Sequence, residues 1–208
     1  MRRGNLLVAS TLIATAAFLA APSAEACLWN FGSATQPPGL PLNAPFPSVT
    51  VFNGTGTGCG SSLSLSSTDT LYNKNLGGIE FGIGLTNDPS GENEVTPGHS
   101  IQINIANVLG RTGTLALSVN GESAQAGEMW ELLGSGGEVL VAPNSTNGVE
   151  QSFTTTDTVL TFTATAGSVL LGSFDSPEVS VPEPTALALL GTGLLGFGVM
   201  WRRRRDKR

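Results

Sequence analysis

Apolar side chains alternate with small or polar ones in several short stretches of this sequence. In residues 78–85 every second residue is apolar, and residues 101–105 and 115–119 repeat the pattern. Successive side chains of a β-strand point to opposite faces, so this spacing places the apolar residues on one face. The middle of the chain has no convincing helical spacing. The pattern predicts short strands that each bury one face.

Turn residues separate these stretches, as at Asn120-Gly121, 135–137 and Asn147-Gly148. Short strands with frequent turns favour an all-β antiparallel sandwich or jelly roll, with a closed barrel as the alternative. We predict ten strands, at residues 49–52, 62–65, 78–85, 101–105, 115–119, 128–133, 139–142, 151–155, 159–163 and 169–174.

The N-terminus has the order of a secretory signal peptide. Arg2 and Arg3 precede an apolar run over residues 6–21, and Ala24-Glu25-Ala26 supplies a cleavage site. We therefore predict a signal peptide over 1–26, export through the cell's export machinery, cleavage by signal peptidase and a mature chain that starts at Cys27. Lipidation of Cys27 or a retained anchor are the less favoured alternatives, since Glu25 suits a lipobox poorly and the run is short.

The C-terminus has an uncharged apolar stretch over 186–201, followed by a basic cluster over 202–208. Sixteen helical residues reach about 24 Å, short of the roughly 30 Å hydrocarbon core. We predict a marginal transmembrane helix whose basic end stays in the cytoplasm, because positive charge is retained on that side.

Directly before this helix stand Val181, Pro182, Glu183, Pro184 and Thr185. The Pro-Glu-Pro motif, short apolar helix and arginine cluster over 181–208 together resemble the PEP-CTERM sorting signal of Gram-negative bacteria that produce exopolysaccharide. The resemblance implies that a membrane-embedded protease, the exosortase, recognises and removes the tail. It also implies transient anchoring in the inner membrane and delivery to the cell surface or extracellular matrix. An ordinary membrane anchor is the alternative.

Residues 27–178 remain as one exported domain of ordinary size. Within it two basic residues, Lys74 and Arg111, stand against 13 acidic ones, which leaves a net charge of −11. Nucleic-acid binding needs clustered positive charge, so this class of partner is excluded.

Cys27 and Cys59 are the two cysteines of an exported chain, and we predict a disulfide between them, with two free thiols as the alternative. Residues 36–47 contain five prolines. Since proline cannot donate to a strand ladder, we predict an extended arm without regular pairing there.

An acidic loop at 87–95 is the candidate metal site. Asp88, Ser90, Glu92 and Glu94 alternate in a way that can converge oxygen ligands on Ca²⁺, but the spacing departs from an EF-hand. A solvated acidic turn is the simpler interpretation. No other cofactor is expected.

Trp130, with Glu122, Glu128 and Glu131 nearby in sequence, suggests stacking on a sugar, although a tryptophan in the middle of a strand more often belongs to the core. His99 is the one histidine, no G-x-S-x-G elbow accompanies it, and we expect a loop residue at a strand entry. The sequence gives no catalytic residues, so an enzyme is not expected.

These patterns predict an exported surface or biofilm-matrix protein, associated with exopolysaccharide, in a structural or adhesive role. A carbohydrate-binding module or a secreted glycan-active enzyme is the alternative.

Overall fold

The alternating segments pair into two antiparallel sheets in the computed structural model. The structure describes residues 26–31, 40–56, 59, 61–77, 80–108 and 114–176. These residues form strands and no helix. The strands are β1 (Cys27–Asn30), β2 (Ala44–Phe46), β3 (Val49–Asn53), β4 (Ser62–Ser66), β5 (Leu71–Leu76), β6 (Glu80–Leu85), β7 (Ser100–Asn104), β8 (Leu115–Glu122), β9 (Met129–Leu133), β10 (Val139–Asn144), β11 (Gln151–Thr155), β12 (Val159–Ala166) and β13 (Leu170–Ser176).

Sheet A has the order β11-β8-β13-β6-β5-β2, and β1 also pairs with β13. Sheet B has the order β10-β9-β12-β7-β4-β3. Every pairing is antiparallel. The sheet faces that meet bury aromatic and aliphatic residues from both sheets, so the predicted antiparallel sandwich is confirmed.

Aromatic side chains join the two sheets. Phe46 of β2 meets Phe52 of β3 with ring centroids 6.2 Å apart, and Phe31 approaches the same Phe52 at 5.2 Å. Within sheet B, Trp130 of β9 packs on Phe162 of β12 at 5.5 Å and is fully buried. Aromatic contacts of this kind add to the free energy gained by burying each ring.

The turn predicted at Asn120-Gly121 is wrong, because both residues lie inside β8. Gly121 pairs with Leu171 of β13 and faces Trp130 of the opposite sheet. A Cβ at residue 121 would lie 2.4 Å from the indole Nε1, closer than real Cβ contacts. Gly121 therefore allows the two sheets to approach each other closely and does not form a turn.

The predicted disulfide is confirmed: Cys27 and Cys59 are bonded, with Cα atoms 5.5 Å apart. The bond fastens β1 to the segment that follows β3. Leu28 also exchanges backbone hydrogen bonds with Thr55, at 3.0 and 2.9 Å. The first strand, β1, is thus held at two points.

The extended arm predicted over 36–47 is wrong in part. Residues 44–46 form β2, which pairs with β5 at the edge of sheet A. Pro45 is tolerated because an edge strand needs only one ladder of hydrogen bonds. Residues 36–39 of the predicted arm lie outside the described part of the chain.

Within the part of the chain that the structure describes, no helix is long and apolar enough to cross a membrane. Three predicted segments lie outside the described residues. They are the signal peptide over 1–26 (except Ala26), the sorting motif at 181–185 and the helix over 186–201.

Candidate functional site

The acidic loop connects β6 to β7, and its first carboxylate organises the loop itself. Asp88 is buried and accepts hydrogen bonds from the backbone N–H of Ser90 at 3.0 Å, from that of Glu94 at 3.3 Å, and from the Ser90 hydroxyl. Burial opposes the charge on Asp88, but these hydrogen bonds outweigh it and lower its pKa. Asp88 therefore acts as the internal acceptor of an Asx turn.

The last carboxylate of the loop is part of a buried ion pair. Lys74 Nζ lies 2.5 Å from Glu94 Oε1 and 2.8 Å from Glu80 Oε2, and the Ser123 hydroxyl donates to Glu94 Oε1 at 2.8 Å. The Glu94 side chain is 1% exposed. Burial disfavours the charge on Lys74, but hydrogen bonds to Glu80 and Glu94 and their negative charges raise its pKa. Glu94 is thus neutralised inside the domain.

The other two loop residues, Ser90 and Glu92, are exposed. The four residues predicted to bind calcium therefore divide between internal partners and solvent. Among the described side chains, no three His, Cys, Asp or Glu are grouped so as to hold a metal ion. Calcium binding by Asp88, Ser90, Glu92 and Glu94 stays a prediction.

The residues considered for sugar stacking do not form one site. Trp130 is fully buried, and its indole N–H donates to the Thr146 carbonyl at 3.1 Å, so its ring has no free face. Glu122 lies on β8 of sheet A and Glu131 on β9 of sheet B. Glu128 accepts a hydrogen bond from the Gln125 backbone at 2.7 Å. The idea that Trp130 stacks on a glycan is wrong.

His99 stands at the entry to β7, as predicted. Its Nδ1 lies 2.8 Å from Asp69 Oδ2, which ties this entry to the loop between β4 and β5. Thr163 of β12 donates to the His99 carbonyl at 2.8 Å. These contacts make His99 a connecting residue between neighbouring strands.

The sequence did not predict an open groove on the outer face of sheet A, with a volume of about 530 Å³. It lies over β8, β11 and β13, where register places Ser118 opposite both Ser152 and Asp175. It is lined by Ala116, Leu117, Ser118, Glu150, Ser152, Phe153, Thr154 and Asp175. Hydroxyl and carboxylate groups therefore share one concave surface.

One of the two carboxylates of the groove, Asp175, is poorly compensated. Among the described residues, Oδ1 of Asp175 is shielded from solvent and has no hydrogen-bond partner. Burial, together with the negative charge of Glu150, raises the pKa of Asp175. Glu150 accepts one long hydrogen bond from the Ser118 hydroxyl, at 3.4 Å. The groove can therefore accept hydrogen bonds and positive charge from a ligand.

Comparison with known proteins supports the interpretation of the tail. The domain is an exported β-sandwich with a disulfide, and the family model for the PEP-CTERM protein-sorting motif matches residues 180–205. The chain thus carries the PEP-CTERM signal, which confirms the resemblance over the tail. The motif is the recognition signal for exosortase, and the chain is an exported protein processed through a C-terminal membrane-anchoring signal. A search of curated proteins found no match to the chain.

Proposed function

We propose that the exported domain is a cell-surface or matrix protein that adheres to exopolysaccharide through the groove on sheet A. The observation that carries this proposal is the lining of the groove, which combines three hydroxyls with two carboxylates. Polysaccharides present dense hydroxyl groups, each able to donate and to accept a hydrogen bond. Ser118, Ser152 and Thr154 can exchange hydrogen bonds with such a surface, and Glu150 can accept them.

The shape and composition of the groove favour a weak contact that gains strength by repetition. The groove is open, so a polymer can pass along it without a free chain end. Aromatic rings are not presented to its ligand, since Phe153 faces the core with 6% of its surface exposed. Many copies of the domain on one polymer then give avidity, which suits an adhesive role.

Co-sedimentation with the producing cell's own extracellular polysaccharide tests this function. Ser152→Tyr on the edge strand β11 should fill the groove and lower saturable binding at least severalfold. Ser64→Tyr, on the outer face of sheet B, adds the same bulk elsewhere and should bind like the wild type. Equal binding by all three proteins would contradict a role for the groove.

A secreted glycan-active enzyme is the second candidate. One observation favours it: the groove pairs Asp175, whose pKa is raised, with the carboxylate of Glu150. Glycoside hydrolysis uses two carboxyl groups, one of which has a raised pKa and acts as the general acid. Release of new reducing ends from the polysaccharide, abolished by Asp175→Asn, would establish turnover. Binding without release would favour the adhesive function.

A further inference from the structure

We propose that the groove selects sugar units that carry a protonated amine, held by the carboxylates of Asp175 and Glu150. This inference rests on the proposed function and names the ligand class for the same groove. The partner is an amino-sugar polymer with free, unacetylated amino groups.

The first support is the charge of the groove lining. Its eight lining residues include two carboxylates and no basic side chain. Lys74 is engaged with Glu80 and Glu94, so it supplies no positive charge to the groove. Arg111 lies outside the described residues. A positively charged group of a ligand can therefore balance the charge of these two carboxylates.

The second support is the state of Asp175. One of its oxygens is sheltered and accepts no hydrogen bond from the described part of the chain, while the nearby Glu150 repels its charge. A neutral sugar hydroxyl can donate a hydrogen bond but leaves the repulsion between the carboxylates in place. An ammonium group within about 4–6 Å attracts both carboxylates, and these attractions offset the repulsion between them.

The third support is the arrangement of carboxylate and hydroxyl groups across the groove. Asp175 lies on β13 directly opposite Ser118 of β8, and Ser118 lies opposite Ser152 of β11. The row places a carboxylate at one side of the groove and hydroxyls beside it. An amino sugar can thus place its amine near Asp175 and its hydroxyls over the two serines.

Proton linkage gives this ligand a characteristic pH profile. The pKa of Asp175 is raised in the free protein, and a bound ammonium would lower it, so binding should release protons where Asp175 is partly protonated. Affinity should fall in acid, as Asp175 becomes protonated. It should also fall in base, as the amine of the sugar loses its proton.

The test compares two soluble oligomers of equal length, one of glucosamine and one of N-acetylglucosamine. We expect isothermal titration of the exported protein, with its disulfide intact, to show that the glucosamine oligomer binds at least about tenfold more tightly than the N-acetylglucosamine oligomer. Asp175→Asn should remove most of that preference. Glu131→Gln, which removes one negative charge from the outer face of sheet B, should keep it.

Equal affinity for both oligomers would overturn the selectivity for amines while leaving adhesion to glycans standing. Binding of the cell's own polysaccharide but of neither oligomer would overturn that selectivity in the same way. A preference for glucosamine that survives Asp175→Asn would overturn the assignment to this groove. If neither the oligomers nor the cell's polysaccharide bind, the proposed function fails as well.

Discussion

Cys27, the first residue of β1, lies directly opposite Ser176, the last residue of β13. The matched sorting motif begins at residue 180, four residues beyond Ser176. The first strand of the domain and the strand that leads into the tail are therefore neighbours in one sheet. The disulfide from Cys27 to Cys59 fastens this pair of chain ends to the rest of the sandwich.

Removing the disulfide should destabilise the domain. The bond joins residues 32 positions apart, and on the chain-entropy model closing a loop of that length contributes about 3–4 kcal/mol. Cys27→Ser with Cys59→Ser should lower the free energy of unfolding in urea by about that amount. Adding reductant should destabilise the wild type and leave the double variant unchanged. A double variant as stable as the oxidised wild type would contradict the role assigned to the bond.

Gly121→Ala should destabilise the domain by about 1–3 kcal/mol, because the new methyl group would meet the buried indole of Trp130. Gly136→Ala is the matched control. Its nearest neighbour is the end of the flexible Glu138 side chain, at 3.0 Å, in an exposed turn. Thermal unfolding should separate the two variants clearly. Equal melting temperatures would show that the sheets can separate at Gly121 without cost.

Lys74→Met should cost about 3–5 kcal/mol, because it leaves the buried carboxylate of Glu94 without its counter-charge. Adding Glu94→Gln removes that stranded charge and should recover much of the loss. Urea unfolding of the wild type, both single variants and the double variant measures this coupling. If the double variant is as unstable as Lys74→Met alone, the loss comes from packing and not from charge.

Glu122 should make stability depend on pH. The carboxyl is buried on β8, and burial raises its pKa above the ordinary value of 4.5, although a hydrogen bond from Asn120 opposes this shift. A carboxyl whose pKa is raised on folding stabilises the protein in acid. This contribution is lost as the pH rises through the folded pKa.

Glu122→Gln should therefore raise the free energy of unfolding at pH 7, and the gain should shrink below pH 4.5. Glu131→Gln, at a half-buried position of sheet B, is the control for the effect of removing one negative charge. Urea titrations from acid to neutral pH are suited to this comparison. A gain for Glu122→Gln that does not vary with pH would contradict the assignment.

The strands were predictable where apolar residues alternate. β11 (Gln151–Thr155) has the predicted bounds, while β12 and β13 run two or three residues further. β5 escaped prediction because its sequence, LYNKNL, is largely polar. Its Asn73 and Lys74 are nevertheless buried, the latter through its ion pair. The partners of Lys74, Glu80 and Glu94, lie in other segments, so the sequence of β5 itself does not show that Lys74 is buried.

The groove could not be predicted, because it depends on the register of three strands that are distant in sequence. Ser118, Ser152 and Asp175 share a row only after β8 pairs with both β11 and β13. The sorting tail, by contrast, is local in sequence, so its motif could be recognised directly. The internal partners of Glu94 could not be predicted from the sequence of the acidic loop, because Lys74 and Ser123 lie far from it along the chain.

We propose a processed cell-surface or matrix protein, and intact-mass analysis of the protein in the cell's extracellular polysaccharide fraction can establish this. We predict a chain that begins at Cys27 and has lost the basic cluster at 202–208. Its mass should be that of the form in which Cys27 and Cys59 are disulfide-bonded. Recovery of the protein only from membranes, with Arg208 still present, would contradict the claim.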